Sequence, residues 1–317
     1  MIDSTNETLF DGSPLSIKYI DCSGFSCFSR CPAKFFFERL LGLRPVGSAE
    51  KVNIAPDYGT CIHRALPYAY TSVDRAVEEF KLAWSSYHYE ELHDERRNIR
   101  RATDMLANFH RLRSSNCPYE IIQFPGIAYE AAERISPNEV PFLVDVGAVY
   151  PFTGRIDCPI KLKSSGHVMA LDYKTASEIS ARLFDCFNLS PQAIGYTIAL
   201  GMLTGEDVFG LAIEALRVSP TNDEIQIGLI PVSERAMICF VEQLTDASEQ
   251  MAECLSTNGW PQRFANCSPY ATHGQPGRLC PYSHLCDAAN WHDALPNYSR
   301  SQPFDPFVLS TKETDNG

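Results

Sequence analysis

The sequence predicts an α/β protein in which a mixed central sheet is flanked by helices, with a helical insertion ahead of the sheet and a cysteine-bearing segment behind it. Three observations carry that reading. Apolar residues recur at helical spacing between Val73 and Arg113 with almost no Gly or Pro, short β-rich runs follow Gly126, and helical spacing returns from Ser233 to about Leu255.

The bulk numbers suit one large domain or two small ones. The chain has 317 residues, 44% hydrophobic and 21% charged, enough to bury a sizeable core. It has no run of about 18 uncharged apolar residues, and MIDSTNETLF lacks the basic and apolar regions of a signal peptide, so the expectation is a soluble, cytoplasmic protein with no membrane partner. A net charge of −12 opposes non-specific attraction to a polyanion. An enzyme acting on strands or ends requires only a local basic groove, and bound metal ions add positive charge there. Twelve cysteines are too few for a small secreted disulfide scaffold, which favours metal or cluster ligation for some and buried apolar filler for the rest.

Residues 1–20 read as a flexible N-terminal segment and 291–317 as a C-terminal tail, since 1–20 and 298–317 are polar and carry little periodicity. The run FFFERLLGL, followed by Pro45, reads as a short apolar helix stopped by a turn. Val77, Phe80 and Trp84, then Met105, Leu106 and Phe109, mark at least two helices. The same stretch carries Arg96, Arg97, Arg100, Arg101, Arg111 and Arg113; a solvated helix face is the ordinary account of such a stripe, a nucleic-acid track the functional one. The runs IAYEAAERI, FLVDVGAVY, GRIDCPIKL and HVMALDYKT, separated by turn residues such as Ser136-Pro137-Asn138 and Ser164-Ser165-Gly166, read as strands. A helix from Pro191 to Met202, strands at Phe209–Val218 and Ile225–Pro231, and the long helix from Ser233 complete the pattern.

GRIDCPIKL and HVMALDYKT are joined by a short loop, so the natural geometry is a hairpin in which Asp157 and Asp172 face each other. The two-residue period of a strand puts Asp172 and Lys174 on one face and turns Tyr173 away. Two hard carboxylates can hold one or two Mg²⁺ or Mn²⁺ ions, which position a water, lower its pKa and neutralise charge on a scissile phosphate. A lysine on the same face can orient that water and stabilise the developing negative charge. A solvent-facing Asp and Lys pair is the ordinary alternative, but Val168, Met169, Ala170 and Leu171 bring this pair to the end of a buried-looking strand.

On these residues the sequence resembles the PD-(D/E)XK superfamily, in particular its RecB-like nuclease branch, where G-x-I-D on one strand is followed by D-x-K on the next. Here these are Gly154-Arg155-Ile156-Asp157 and Asp172-Tyr173-Lys174, with Thr175 completing the frequent DYKT form. The branch's helical Q-x-x-x-Y is matched by Gln192 and Tyr196, one turn apart, and its upstream G-x-x-x-H by Gly59 and His63. A lone His, or Gln and Tyr at helical spacing, is ordinarily structural; the order and spacing of the set carry the likeness. The resemblance implies a restriction-endonuclease-like fold, catalytic roles for Asp157, Asp172, Lys174, Gln192 and Tyr196, and a Mg²⁺ or Mn²⁺ site on His63, Asp157 and Asp172. Its acidic residue on the preceding strand is either Glu130 or Glu133.

Cys267, Cys280 and Cys286 lie in NCSPYATHGQPGRLCPYSHLC, a turn-rich loop with little apolar periodicity that needs a staple, and Cys31 stands far upstream, directly before Pro32. The set is similar to RecB-like nucleases with an iron–sulfur cluster, among them the helicase-associated AddB nuclease domain and the CRISPR-associated exonucleases. That likeness implies a [4Fe-4S] cluster on Cys31, Cys267, Cys280 and Cys286. A structural Zn²⁺ is the alternative, with His273 or His284 able to replace a cysteine.

The expected organisation is a nuclease domain over 21–290, with a helical insertion at 73–115 and a cluster-binding segment at 260–290. The expected function is metal-dependent phosphodiester hydrolysis, as an exonuclease on single-stranded DNA or DNA ends in recombination, repair or phage-type processing. A helicase or recombination partner would supply any unwinding, since no phosphate-binding G-x-x-x-x-G-K-[ST] is present. Two rivals are a non-cutting DNA-end or partner-binding module of the same fold and a metal-stapled structural subunit; intact Asp157, Asp172, Lys174 and Gln192 argue against the first.

Overall fold

The computed structural model describes residues 2–3, 7, 14–46, 54–87, 89, 94–123, 139–221, 224–267 and 279–301. The chain divides into two compact units, each assembled from separated stretches. The first comprises Met1–Glu50, Leu143–Gly154 and Ile238–Asp305; the second comprises Lys51–Phe142, Arg155–Met237 and Pro306–Gly317. The elements begin with β1 (Ile2–Asp3), β2 (Ile20–Asp21), α1 (Cys22–Arg30), α2 (Pro32–Phe35), which runs into a π-helical turn (Phe36–Leu40), and β3 (Leu43–Pro45). Next come α3 (Ile54–Ala69), α4 (Val73–Ser85), α5 (Ile99–Asn116), β4 (Tyr119–Ile121), β5 (Val140–Val144), β6 (Phe152–Ile156), β7 (Cys158–Leu162) and β8 (Val168–Ala176). The rest are α6 (Ala181–Asp185), α7 (Pro191–Thr204), β9 (Val208–Arg217), β10 (Ile225–Pro231), α8 (Glu234–Thr257), β11 (Gly259–Trp260), α9 (Ser283–Asp287) and β12 (Tyr298–Arg300).

The second unit holds a mixed five-stranded sheet in the order β10-β9-β8-β7-β4, in which β8 and β9 run parallel. A parallel pair requires a crossover, and α6 and α7 supply it. β7 and β8 form the expected hairpin, from Cys158↔Leu171 to Lys161↔Val168, with Gly166 at φ +74 in its turn. β8 is central, and every residue from Val168 to Tyr173 is buried, which is why it reads as an unbroken apolar run instead of an alternation. From α3, α4 and α5, Ile62, Leu66, Phe80, Leu106 and Phe109 share one core with Ile160, Met169 and Tyr173. Side chains cap the helix starts: Ser72 accepts from the Arg75 amide, Asn98 from Arg101 and Ser190 from Ala193, with Pro191 opening α7 and Gly205 (φ +69) closing it. The architecture is the expected mixed sheet flanked by helices.

In the first unit the core is aromatic: Phe36 stacks on Trp260 and meets Trp291 edge-on, and Phe37 stacks on Tyr282. The helix expected in FFFERLLGL forms as α2 plus the π-helical turn and stops at Gly42, φ +64.

Four expectations change. The N-terminal segment is not wholly loose, because Ile2 is buried and pairs with Trp260. Nor is 291–317 wholly a tail: Trp291 is buried in the aromatic core and Tyr298–Arg300 pairs with Leu43–Pro45. GRIDCPIKL is two strands, since the chain bends at Asp157 and passes from a three-stranded sheet (β2-β6-β5) to the five-stranded one. FLVDVGAVY is strand only to Val144, after which the Asp145 carboxylate accepts the Gly147 amide and turns the chain. IAYEAAERI, Glu130, Glu133 and His273 lie outside the described residues. Among the described residues no helix is long and apolar enough to cross a membrane.

Candidate active site

Strand alternation on β8 puts Asp172 and Lys174 on one face and Tyr173 on the other. The Lys174 ammonium pairs with Asp172 Oδ2. From the first turn of α7, Gln192 Nε2 donates to Asp172 Oδ1 at 2.7 Å. Asp157 is the single residue between β6 and β7; its Oδ2 accepts the Tyr173 amide N–H at 3.0 Å and lies 3.2 Å from His63 Nδ1. His63 comes from α3, which approaches β8 closely because residue 59 is glycine: a Cβ there would stand 3.0 Å from Thr175 Oγ1. The G-x-x-x-H spacing thus has a geometric meaning. Glycine seats the helix, and the histidine one turn later reaches the carboxylate.

The electrostatics separate the two carboxylates. Burial and the charge of Asp157 raise the Asp172 pKa, against the pull of Lys174 and His63. Burial also acts to raise Asp157, but the charge and hydrogen bond of His63, then Lys174 and the Tyr173 amide, outweigh it and hold that carboxyl below its usual range. For His63, burial opposes the charged ring and the Asp157 carboxylate overcomes it, so its pKa rises. Unlike surroundings thus push the two neighbouring carboxyls apart, as happens at catalytic sites and in structural ion pairs alike.

Among the described residues, no group of three or more His, Cys, Asp or Glu side chains stands in a geometry that holds a metal ion. The expected ligands make contacts in pairs, Asp157 with His63 and Asp172 with Lys174 and Gln192. Their donor chemistry fits a hard divalent cation: two carboxylates, one of which raises the other's pKa, sit beside an imidazole, and a cation between them would relieve that repulsion. Tyr196, expected beside Gln192, packs its ring edge-on to Phe142 at 5.8 Å.

Two features escape the sequence reading. Phe187, between α6 and α7, places its ring centre 5.8 Å from Lys174 Nζ. Arg113, counted in the basic stripe, turns inward, where its Nε donates at 2.6 Å to the fully buried Glu214 on β9. Arg97 pairs with Asp94 and Arg101 with Asp104, while Arg96, Arg100 and Arg111 are exposed, so the stripe is in good part structural ion pairing. The one signal for Glu214 was a lone charge within LAIEAL.

All twelve cysteines are free thiols. Cys31, Cys267, Cys280 and Cys286 gather in the first unit. The Cys280 amide donates to the Cys267 carbonyl at 3.4 Å, and Arg263 and Asn266 bond the carbonyls of Ser29 and Arg30, just ahead of Cys31. Burial, then the charges of Cys31, Cys267 and Cys280, push the Cys286 thiol up to about 12, and burial, Cys280 and Cys31 raise Cys267. Cys286 therefore stands within electrostatic reach of the other three thiols, although among the described residues no three of them form a ligand cage. Cys27, Cys61, Cys158 and Cys254 are buried, as apolar filler would be; Cys22, Cys117 and Cys239 are half-buried and Cys186 is exposed.

Among solved structures, one from Eubacterium rectale, provisionally assigned as an exonuclease, matches at 12% identity with a TM-score of 0.43, covering 86% of this chain and 94% of that one. No curated protein matches in sequence. The model of the PD-(D/E)XK nuclease superfamily matches residues 21–287, a span that includes Asp157, Asp172, Lys174 and most of the chain. The chain belongs to the PD-(D/E)XK nuclease superfamily.

Proposed function

We propose that the protein is a divalent-metal-dependent deoxyribonuclease that acts as an exonuclease on single strands or DNA ends, in recombination, repair or phage-type processing alongside a helicase or recombination partner. The observation that carries this reading is the pairing of Asp157 with His63 and of Asp172 with Lys174 on either side of the Tyr173 amide, where β8 passes from buried to half-buried. In it, His63, Asp157 and Asp172 hold Mg²⁺ or Mn²⁺, and the ion when bound would neutralise charge on the scissile phosphate and acidify a water. Gln192 fixes the Asp172 carboxylate through its 2.7 Å bond. Lys174, whose side chain is 30% exposed, hydrogen-bonds the entering water and meets the charge that develops on the phosphate. Tyr196 stands beside the site and touches the DNA backbone. Cys31, Cys267, Cys280 and Cys286 hold a [4Fe-4S] cluster, with Zn²⁺ as the alternative, in a structural role that cross-links residue 31 to the 267–286 loop.

The test is to purify the protein without air and incubate it with end-labelled single-stranded and duplex DNA, with and without Mn²⁺. Release of short products from strand ends only when Mn²⁺ is present is the expected result. Cleavage that survives chelation, or none with either Mn²⁺ or Mg²⁺, contradicts the reading.

A further inference from the structure

We infer that Glu214, Tyr119 and Tyr70 are positioning residues for this nuclease, holding from the opposite face of β8 the residue that separates Asp172 from Lys174; the inference rests on the nuclease reading above. Glu214 lies beside Tyr173 in the parallel register of β9 and β8 and is fully buried. Its carboxylate can only accept. Arg113 Nε donates to Oε1 at 2.6 Å and the Tyr119 hydroxyl to Oε2 at 2.6 Å. With its one proton committed, Tyr119 must accept from Tyr70 at 2.7 Å, and Tyr70, committed in turn, accepts from Tyr173 at 2.7 Å. The carboxylate therefore sets the direction of a chain of hydroxyl donors that ends on Tyr173.

Tyr173 touches both halves of the site. Its amide holds Asp157, and its chain neighbours are Asp172 and Lys174. A slide or rotation of Tyr173 would move all three groups together. Phenylalanines of the same shape would fill this core without burying a charge, and replacing buried ion pairs by apolar groups is often neutral or stabilising. A fully bonded polar chain, by contrast, defines one position for the residue at its end.

The test measures kcat, KM and melting temperature for wild type, Tyr70→Phe, Tyr119→Phe, their double variant and Phe109→Leu, with saturating Mn²⁺. Phe109 packs edge-on to the Tyr70 ring (5.2 Å) and the Tyr173 ring (6.2 Å) and stands outside the hydroxyl chain. Each Tyr→Phe change should lower kcat by about tenfold to a hundredfold with KM within about twofold, and the double variant should fall no further, because both break one chain. Phe109→Leu should lose melting temperature and keep kcat per folded molecule. Wild-type kcat in Tyr70→Phe or Tyr119→Phe overturns the inference, as does a kcat loss that Phe109→Leu reproduces at equal loss of melting temperature. A wild type that cuts nothing removes the nuclease reading itself, a result distinct from either.

Discussion

The Tyr173 amide N–H donates to Asp157 Oδ2 at 3.0 Å, so one peptide unit of β8 holds the carboxylate at the end of the neighbouring strand while its flanking side chains, Asp172 and Lys174, form the rest of the site. Extending the β7–β8 register by one step would set Asp157 opposite Asp172. The chain bends there instead, and the Asp157 side chain takes the place of a ladder partner. The relative placement of the two carboxylates is thus a property of the backbone, and the elements that press on it should tune the reaction.

Gly59 is the first of these. In Gly59→Val the new side chain crowds Thr175 Oγ1, and the strain should press α3 from β8 and draw His63 from Asp157. The expected loss of stability is about 1–3 kcal/mol, with a higher Mn²⁺ requirement for cleavage. In a Thr175→Ala background the penalty should shrink. Melting all four proteins checks this, and a penalty indifferent to Thr175 contradicts it.

Gln192→Ala leaves the nearly buried Asp172 Oδ1 without its donor. The lost hydrogen bond to a charged group is worth about 1.5–3 kcal/mol, so cleavage should fall by about tenfold or more while the fold holds. Gln192→Glu should be worse at low Mn²⁺, because it adds a third negative charge. Rates measured across a Mn²⁺ series decide; three superimposable curves would rule the role out.

Glu214 supplies a pH test of the buried chain. Burial raises its pKa against Arg113 and Tyr119. A carboxyl whose folded pKa lies above its unfolded value binds its proton more tightly when folded, so it contributes stability at acid pH that is lost as pH rises through the folded pKa. Glu214→Gln cannot titrate. The unfolding free energy of wild type relative to Glu214→Gln should therefore decline as pH rises from about 4 toward neutrality, as read by denaturant melts at stepped pH. A difference that is flat, or that grows in favour of wild type, would show the shift has the opposite sign.

Cys286 tests the cysteine set. Its thiol is pushed up to about 12, so ligation must displace a proton and uptake of metal should release acid. Cys31→Ser and Cys286→Ser, purified without air, should lose iron and melt lower, while Cys186→Ser, exposed and outside the set, should stay brown. A colourless wild type with about one zinc per chain selects the alternative, and one with neither metal removes the proposed site.

What the sequence revealed follows from how local each signal is. The shared face of Asp172 and Lys174 and the aversion of Tyr173 to it were legible because strand period is a property of three adjacent residues, whereas Gln192 stood out only through the Q-x-x-x-Y resemblance. The bend at Asp157 was hidden, since GRIDCPIKL alternates as a continuous strand would and the break answers to a partner sixteen residues away. Arg113 looked like part of a surface stripe because its partner, Glu214, lies on another element 101 residues later. Ile2, Trp291 and Tyr298 looked like ends for the same reason: their partners are Trp260, Phe36 and Pro45, and short polar stretches give no periodicity to announce them.

The most direct measurement is the rate of Mn²⁺-dependent cleavage of labelled single-stranded DNA by Lys174→Ala beside wild type, with melting temperature and iron content recorded for both. Cleavage should be lost by at least about a hundredfold while fold and iron are retained. A Lys174→Ala protein that cuts at the wild-type rate would show that the ammonium on β8 takes no part in the chemistry.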